Sequence, residues 1–233
     1  MRLVSDRAWC QTELGVGSKP DTGGVLDLVL PLACGGCGAP SRRWCAACAA
    51  ALAVCADQPH VITPRADPGV PVFALGRYAG ARRHAIVAVK EHGRRDLVVP
   101  LARPLALGIH HLIEWGVAAV PLTVVPAPTR RSAARRRGGD PITRIAAAAT
   151  AAHPGIAVVN AVRIVGPVHD SVGLSPAARE RNIAGRVRLS AQPPGEVLLV
   201  DDVVTTGATA RETVRVLRAG GVRVTAVLAL AHA

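Results

Sequence analysis

In VLLVDDVVTTGAT (197–209), an apolar strand, a polar loop and the start of a helix follow one another without interruption, which indicates the fold class of the chain. The apolar residues 197–200 predict a buried strand. Asp201 and Asp202 stand at its carboxyl end, where alternation along a strand directs their side chains to opposite faces. The loop that opens the helix consists of Thr205, Thr206, Gly207, Ala208 and Thr209.

Strands and helices alternate on both sides of this stretch. Apolar runs predict strands at 70–78, 117–128, 156–165, 196–202 and 222–231. Helical spacing predicts helices at 80–91, 97–115, 141–153, 175–185 and 208–221. We expect prolines to kink or split 97–115, and Asp140 to cap the helix that begins at Pro141. This alternation predicts an α/β fold with a parallel sheet flanked by helices.

Four cysteines precede this domain in the spacing C-x2-C-x7-C-x2-C. Two such turns supply the four thiolates of a tetrahedral zinc site, and the glycines between them suit a tight knuckle. Because all four positions are occupied by protein, the predicted Zn²⁺ is structural rather than catalytic. The predicted ligands are Cys34, Cys37, Cys45 and Cys48.

Composition divides the chain and limits its function. We interpret 1–24 as a disordered leader, 25–56 as the zinc-knuckle module, 57–69 as a linker and 70–233 as the main domain. No apolar run is long enough for a membrane span and no secretory signal is visible, so the expected location is the cytoplasm. The net charge of +12 favours anionic partners, although an Arg-rich composition alone also produces it.

The loop 205–209 has the chemistry of a phosphate site. Backbone N–H groups, hydroxyls and a helix amino terminus suit a phosphate monoester, whereas Asp201 and Asp202 would repel one. The acids fit ribose hydroxyls or Mg²⁺ on the same ligand, and phosphoribosyl diphosphate combines these groups. The alternative is a plain strand–loop–helix with a capping threonine. P-loop, Rossmann and zincin motifs are absent from the sequence.

The run 197–209 closely resembles the phosphoribosyl-diphosphate motif of type I phosphoribosyltransferases. Together with the knuckle, RYAGARRHAIVAVKEHG (77–93), VVPAPTRRSAARRRGGD (124–140) and RERNIAG (179–185), it resembles the ComF family, phosphoribosyltransferase-like proteins linked to DNA uptake in competent bacteria. The resemblance covers 25–231. It implies a type I phosphoribosyltransferase-like sheet preceded by a zinc module.

The resemblance also implies roles for particular residues. Asp201 and Asp202 would bind the ribose hydroxyls and organise Mg²⁺, while 205–209 would hold the 5-phosphate. Lys90, soon followed by glycine, matches a family lysine and joins the two acids as a catalytic candidate. The segment 135–140 matches the loop that closes over the ligand. The implied diphosphate ligands and their loop are Pro126, Ala127, Pro128, Arg130, Arg131 and Arg137.

Two functions follow from these observations. The first is a Mg²⁺-dependent phosphoribosyltransferase acting on phosphoribosyl diphosphate or a nucleotide. The second is a non-catalytic protein on the same fold that binds single-stranded DNA and serves competence or recombination machinery. The intact acid pair and the loop 205–209 favour the enzyme, and the net charge and knuckle favour DNA binding.

Overall fold

The computed structural model describes residues 32–129, 139–166 and 176–233. The leader 1–24 and the basic residues Arg130, Arg131 and Arg137 lie outside these ranges. The helices are α1 (Ala46–Ala51), α2 (Gly80–Glu91), α3 (Val98–Glu114), α4 (Pro141–Thr150), α5 (Pro176–Ile183) and α6 (Ala208–Ala219). The strands are β1 (His60–Ile62), β2 (Val72–Ala74), β3 (Leu122–Pro126), β4 (Ile156–Val158), β5 (Val162–Ile164), β6 (Val187–Leu189), β7 (Glu196–Val204) and β8 (Arg223–His232).

A mostly parallel sheet lies at the centre of the molecule, in the order β1-β2-β8-β7-β3-β4. Only β1 runs antiparallel to its neighbour within this sheet. The central strand β7 places Val200 between Pro126 of β3 and Leu228 of β8. The expectation of an α/β fold with a parallel sheet is therefore confirmed. A separate antiparallel pair is formed by β5 and β6.

Helices cover both faces of the sheet, as alternation along the central strand requires. Leu198 and Val200 of β7 pack in one cluster with buried residues of α2, α3 and α4. Val197 and Leu199 pack in a second cluster with α6. All four side chains are fully buried, because the strand is covered on both faces.

The third helix fills the first cluster and is not split by its prolines, one of the two outcomes expected for 97–115. It runs without a break although Pro104 lies inside it, and Pro100 falls in the first turn, where a helix needs no N–H donor. With the preceding turn, Arg95–Glu114 is long and apolar enough to cross a membrane by length and composition alone, at a mean hydropathy of 1.2. Leu101, Leu105 and Ile109 are buried against the sheet, so the apolar side of this helix serves the core.

Several boundaries differ from the sequence-based expectation. The run 156–165 forms two strands, β4 and β5, because the chain turns after β4 with a bond from Ala161 N to Val159 O. Residues 57–69, expected as a linker, contain β1, which extends the main sheet. Asp140 occupies the N-cap position of α4 but accepts a bond from the Thr143 hydroxyl at 2.7 Å instead of capping the backbone.

Candidate functional site

The carboxyl end of β7 leads directly into the loop that the sequence singles out. β7 ends at Val204 and α6 begins at Ala208, so Thr205, Thr206 and Gly207 make the connection. Ala208 N donates to the Thr206 hydroxyl at 3.3 Å, and Ala66 N donates to the Thr206 carbonyl at 2.7 Å. These bonds hold the loop tightly against the end of the sheet.

Gly207 is required by packing as well as by conformation. Its φ of 82° lies in the left-handed region, and a Cβ here would stand 2.6 Å from the Ala66 carbonyl oxygen and 2.7 Å from Pro64 Cβ. The sequence indicated Gly207 only as part of the candidate phosphate loop 205–209. The segment 64–66 beneath the loop was missed, since nothing in its sequence indicates this contact.

The structure brings Lys90 to the acid pair. Lys90 Nζ lies 2.8 Å from Asp202 Oδ2, and the Asp202 side chain is only 13% exposed. The Asp202 charge raises the pKa of Lys90, against the opposing effect of burial. Asp202 continues the row of Leu198 and Val200, which faces α2, so the last turn of α2 lies over this end of the strand.

Asp201 has a different environment. Its Oδ1 accepts a bond from Asp202 N at 2.8 Å. Burial, and then the neighbouring charge of Asp202, raise the pKa of Asp201 to about 7. The two adjacent carboxylates therefore differ. Asp202 is neutralised by a lysine, whereas the pKa of Asp201 is raised.

The end of β3 lies beside the acid pair. Pro126 pairs with Val200, and Ala127 N donates to the Val200 carbonyl at 2.8 Å. Ala127 and Pro128 are both buried. The structure thus places the expected diphosphate loop at the same sheet edge as Asp201. The arginines that follow, Arg130 and Arg131, lie outside the described residues, as does Arg137.

Asp140 is an additional acid at this edge, which sequence analysis considered only as a helix cap and as part of the loop motif. Its charge contributes to the raised pKa of Asp201. Asp140 Oδ2 accepts from the Thr143 hydroxyl, whereas Oδ1 is buried and has no hydrogen-bond partner in the part of the chain described. The sequence feature that could have indicated this role is its place in the segment 135–140, which matches the loop that closes over the ligand.

A shallow depression lies over Lys90 and Asp202. It lies between α2, α4 and the ends of β7 and β8 and has a volume of about 10 Å³, the space that one water molecule needs. Ile86 and Ile145 form part of its apolar wall. The carboxyl edge of the sheet therefore offers a concave surface with a paired cation and anion at its base, where ligands of open α/β sheets bind.

The predicted cysteine cluster is formed. The Sγ atoms of Cys34, Cys37, Cys45 and Cys48 all lie within 4.8 Å of one another. Sγ distances are 3.7 Å from Cys34 to Cys48 and 3.6 Å from Cys37 to Cys45. Two sulfurs on one tetrahedral zinc with Zn–S bonds of about 2.3 Å stand roughly 3.8 Å apart. The cluster could therefore hold a zinc ion.

Local bonds prepare the cluster for a cation. Cys48 N donates to Cys45 Sγ at 3.4 Å, so a backbone N–H group faces one of the four sulfurs. Burial raises the pKa of Cys34, but backbone N–H donors outweigh it and bring the pKa to about 6. Burial and the neighbouring thiols raise the pKa of Cys48. A bound metal cation would stabilise all four thiolates together.

The knuckle packs against the main domain near the end of α2. His84 donates from Nδ1 to the Gly36 carbonyl at 2.8 Å, and both terminal nitrogens of Arg94 donate to the Ala33 carbonyl at 3.1 Å. Gly35 lies against Leu97, with no space for a Cβ. Arg94 follows Lys90 closely in sequence, so one short stretch of chain contacts both the zinc module and the acid pair.

No protein-family model and no curated protein matches this chain.

Proposed function

We propose that this protein binds phosphoribosyl diphosphate with Mg²⁺ at the carboxyl edge of its sheet and transfers the phosphoribosyl group, as a type I phosphoribosyltransferase-like protein of the ComF family. The observation that supports this most is the Lys90–Asp202 ion pair of 2.8 Å. It joins the residue that the resemblance selects on α2 to the acid pair that the resemblance selects on β7. Two motifs far apart in sequence therefore meet as a phosphoribosyl site requires.

The residues present fit a magnesium–diphosphate ligand. Carboxylate oxygens are the protein ligands that Mg²⁺ prefers, and Asp202 supplies them in the depression while Asp201 precedes it on β7. When bound, Mg²⁺ would neutralise the charge of the departing diphosphate. Lys90 pairs with Asp202 at 2.8 Å, and both residues line the depression.

Different groups of the protein would then contact different parts of the ligand. The loop 205–209 would take the 5-phosphate through its hydroxyls and the amino terminus of α6. Asp201 and Asp202 would accept hydrogen bonds from the ribose diol. The loop 126–128 would contact the diphosphate beside them, as its pairing with β7 allows. Held in this way, the reacting carbon is oriented for attack by an acceptor.

Calorimetric titration with phosphoribosyl diphosphate and Mg²⁺ tests the proposal. We expect Asp201→Asn and Asp202→Asn each to weaken binding by about 1.5–3 kcal/mol, the cost of a charge-assisted hydrogen bond. Thr206→Val should also weaken it, because a hydroxyl is removed while the β-branch stays. Glu196→Gln is the matched control, since it removes one carboxylate from the opposite end of β7, where Glu196 pairs with Arg223.

Magnesium dependence sharpens the test. Without Mg²⁺, Asp202→Asn should retain or gain affinity, because Lys90 is released to bind the anion. With Mg²⁺, the same variant should lose affinity. Equal affinities for wild type and all site variants would contradict the proposal.

The second candidate, single-stranded DNA binding in the cytoplasm for competence or recombination machinery, rests on the charge of +12 and on the exposed Arg42 and Arg43 of the knuckle. Affinity for single-stranded DNA should then fall steeply with salt. Neutralising three of the arginines at 130–137 should reduce the slope by about 0.7 for each DNA phosphate that an arginine no longer neutralises. Absent or salt-insensitive binding would contradict direct DNA binding.

A further inference from the structure

Helix α2 contacts the cysteine knuckle near its start and the acid pair near its end. Ala81, in its first turn, packs against the cysteine cluster, and His84 bonds to the Gly36 carbonyl at 2.8 Å. Lys90, in its last turn, pairs with Asp202 at 2.8 Å. His84 and Lys90 belong to one continuous helix and lie about 9 Å apart along its axis. A shift of the helix at one of these contacts would therefore displace the other.

The turn that follows α2 ties the end of the helix to the knuckle. Gly93 has a φ of 64°, in the left-handed region, and Arg94 N donates back to the Ala88 carbonyl at 3.1 Å. The Arg94 side chain donates from both terminal nitrogens to the Ala33 carbonyl of the knuckle. Lys90 lies between the two residues that this backbone bond joins, so the turn holds the stretch of chain that carries Lys90.

The first C-x2-C turn of the knuckle makes these contacts with α2 and the turn after it. Residues 33–36 supply the two carbonyls and, at Gly35, a close contact with Leu97 that leaves no space for a Cβ. The same residues include Cys34, whose Sγ lies 3.7 Å from the Sγ of Cys48 in the second turn. A zinc ion bound by all four thiolates would therefore fix the surface against which α2 rests.

We infer that the zinc-loaded knuckle positions Lys90 against Asp202 by fixing the end of α2. His84 and Arg94 act as positioning residues, since neither lines the depression over the ion pair. Side chains of a site keep their geometry only when the residues behind them are held in place. Loss of zinc frees the first turn, and the ion pair then opens more often. This coupling does not depend on what the depression binds, whereas its consequence for ligand affinity rests on the proposed function.

Lysine acetylation of the full chain measures the ion pair directly, because Lys19 and Lys90 are its two lysines. Lys90 Nζ must leave Asp202 before it can attack the reagent, and Lys19 is the internal reference for reagent strength. Mass spectrometry gives the acetylation rate of each lysine with and without zinc. We expect zinc removal to raise the Lys90 rate relative to Lys19 by about fivefold, the effect of losing a partly exposed ion pair. Zinc re-addition should restore the slow rate.

Three variants separate this effect from a general loosening of the protein. Asp202→Asn removes the partner, so its Lys90 should react fast with or without zinc. Arg94→Gln at saturating zinc should raise the Lys90 rate, because the bonds to the Ala33 carbonyl are lost. Arg95→Gln is the control, since it removes the same charge and Arg95 forms no bond to the knuckle within the described residues 32–56. If circular dichroism shows that zinc removal unfolds the sheet, the comparison of these two arginine variants decides the question.

Equal Lys90 rates with and without zinc would overturn the inference, as would a zinc effect of the same size in Asp202→Asn. A zinc-selective chelator that leaves Mg²⁺ in solution extends the test to the ligand. We expect phosphoribosyl diphosphate with Mg²⁺ to slow zinc release, because coupling between two sites is reciprocal. Zinc-dependent acetylation of Lys90 in a protein that does not bind phosphoribosyl diphosphate would keep the inference and overturn the proposed function.

Discussion

The cysteine knuckle and the carboxyl edge of the sheet are polar sites built in opposite ways. The knuckle draws its four sulfurs from one short segment, Cys34 to Cys48, and buries all of these cysteines except Cys37. The edge draws Lys90, Asp140 and the acid pair from three distant segments and stays open to solvent. A closed four-thiol site suits a structural ion, whereas an open site with a partly exposed lysine and a carboxylate oxygen that lacks a described partner suits an exchangeable ligand.

The largest expected effect is that of zinc loss, which should change the knuckle and leave the sheet folded. The purified protein should contain about one zinc per chain, and Cys45→Ser should lose it, because three thiolates leave the tetrahedral site incomplete. The knuckle should loosen while the sheet, which contains none of the four cysteines, stays folded. Metal analysis and circular dichroism measure both.

Cys55→Ser is the control for this experiment, since Cys55 is an exposed free cysteine outside the cluster. It should keep its zinc and its stability. A metal-free wild type, or a Cys45→Ser protein of unchanged stability, would contradict the structural role of the cluster.

The second prediction concerns the open site and pH. The pKa of Asp201 rises from an ordinary 3.8 to about 7 on folding, so the folded protein keeps a proton that the unfolded chain releases. The stabilising contribution of this group is full below pH 4 and is lost as the pH rises through 7. Without divalent cations, wild type should therefore lose up to about 4 kcal/mol relative to Asp201→Asn over this interval, at about 1.4 kcal/mol per pKa unit.

Urea denaturation of both proteins at intervals between pH 4 and pH 8 measures this difference. Asp201→Asn has no titrating group at this position, so the difference between the two profiles reports the Asp201 carboxyl together with its coupling to Asp202 and Lys90. Parallel stability profiles would mean that the carboxyl ionises in the folded protein as it does in the unfolded chain.

The sequence predicted the cysteine knuckle more completely than it predicted the site at the carboxyl edge of the sheet. Ligand spacing alone located the four cysteines, because the chemistry lies within one short segment. Apolar patterns located β7 and α2, and the observed bounds of α2 match the predicted range 80–91. The resemblance selected Lys90 and Asp202 as separate site residues, and their ion pair was not predicted, since nothing local encodes a contact between a helix end and a distant strand. The support of Gly207 by Ala66 had no sequence signal, because any residue can offer a carbonyl.

That support gives the third prediction. Gly207→Ala should destabilise the protein by about 3 kcal/mol, because the new methyl meets the Ala66 carbonyl oxygen and the backbone holds a left-handed φ. Gly221→Ala is the matched control, with a φ of 76° and no atom within 4 Å of the added methyl. It should cost only about 1 kcal/mol. Equal destabilisation of the two variants in chemical denaturation would remove the role of the segment 64–66.

The smallest expected effect lies where the two regions meet. Arg94 donates two bonds to the Ala33 carbonyl of the knuckle while pairing with Asp96 of the main domain. Arg94→Gln should therefore lower the free energy of unfolding by about 1–2 kcal/mol and make the zinc easier to remove with a chelator. Arg95→Gln, one residue later, removes the same charge, and Arg95 forms no bond to the knuckle within the described residues 32–56, so its zinc should leave at the wild-type rate. Chelator kinetics followed by a zinc dye distinguish the two variants. If both release zinc alike, Arg94 contributes only charge, and the knuckle is held to the sheet by Leu97 and His84 instead.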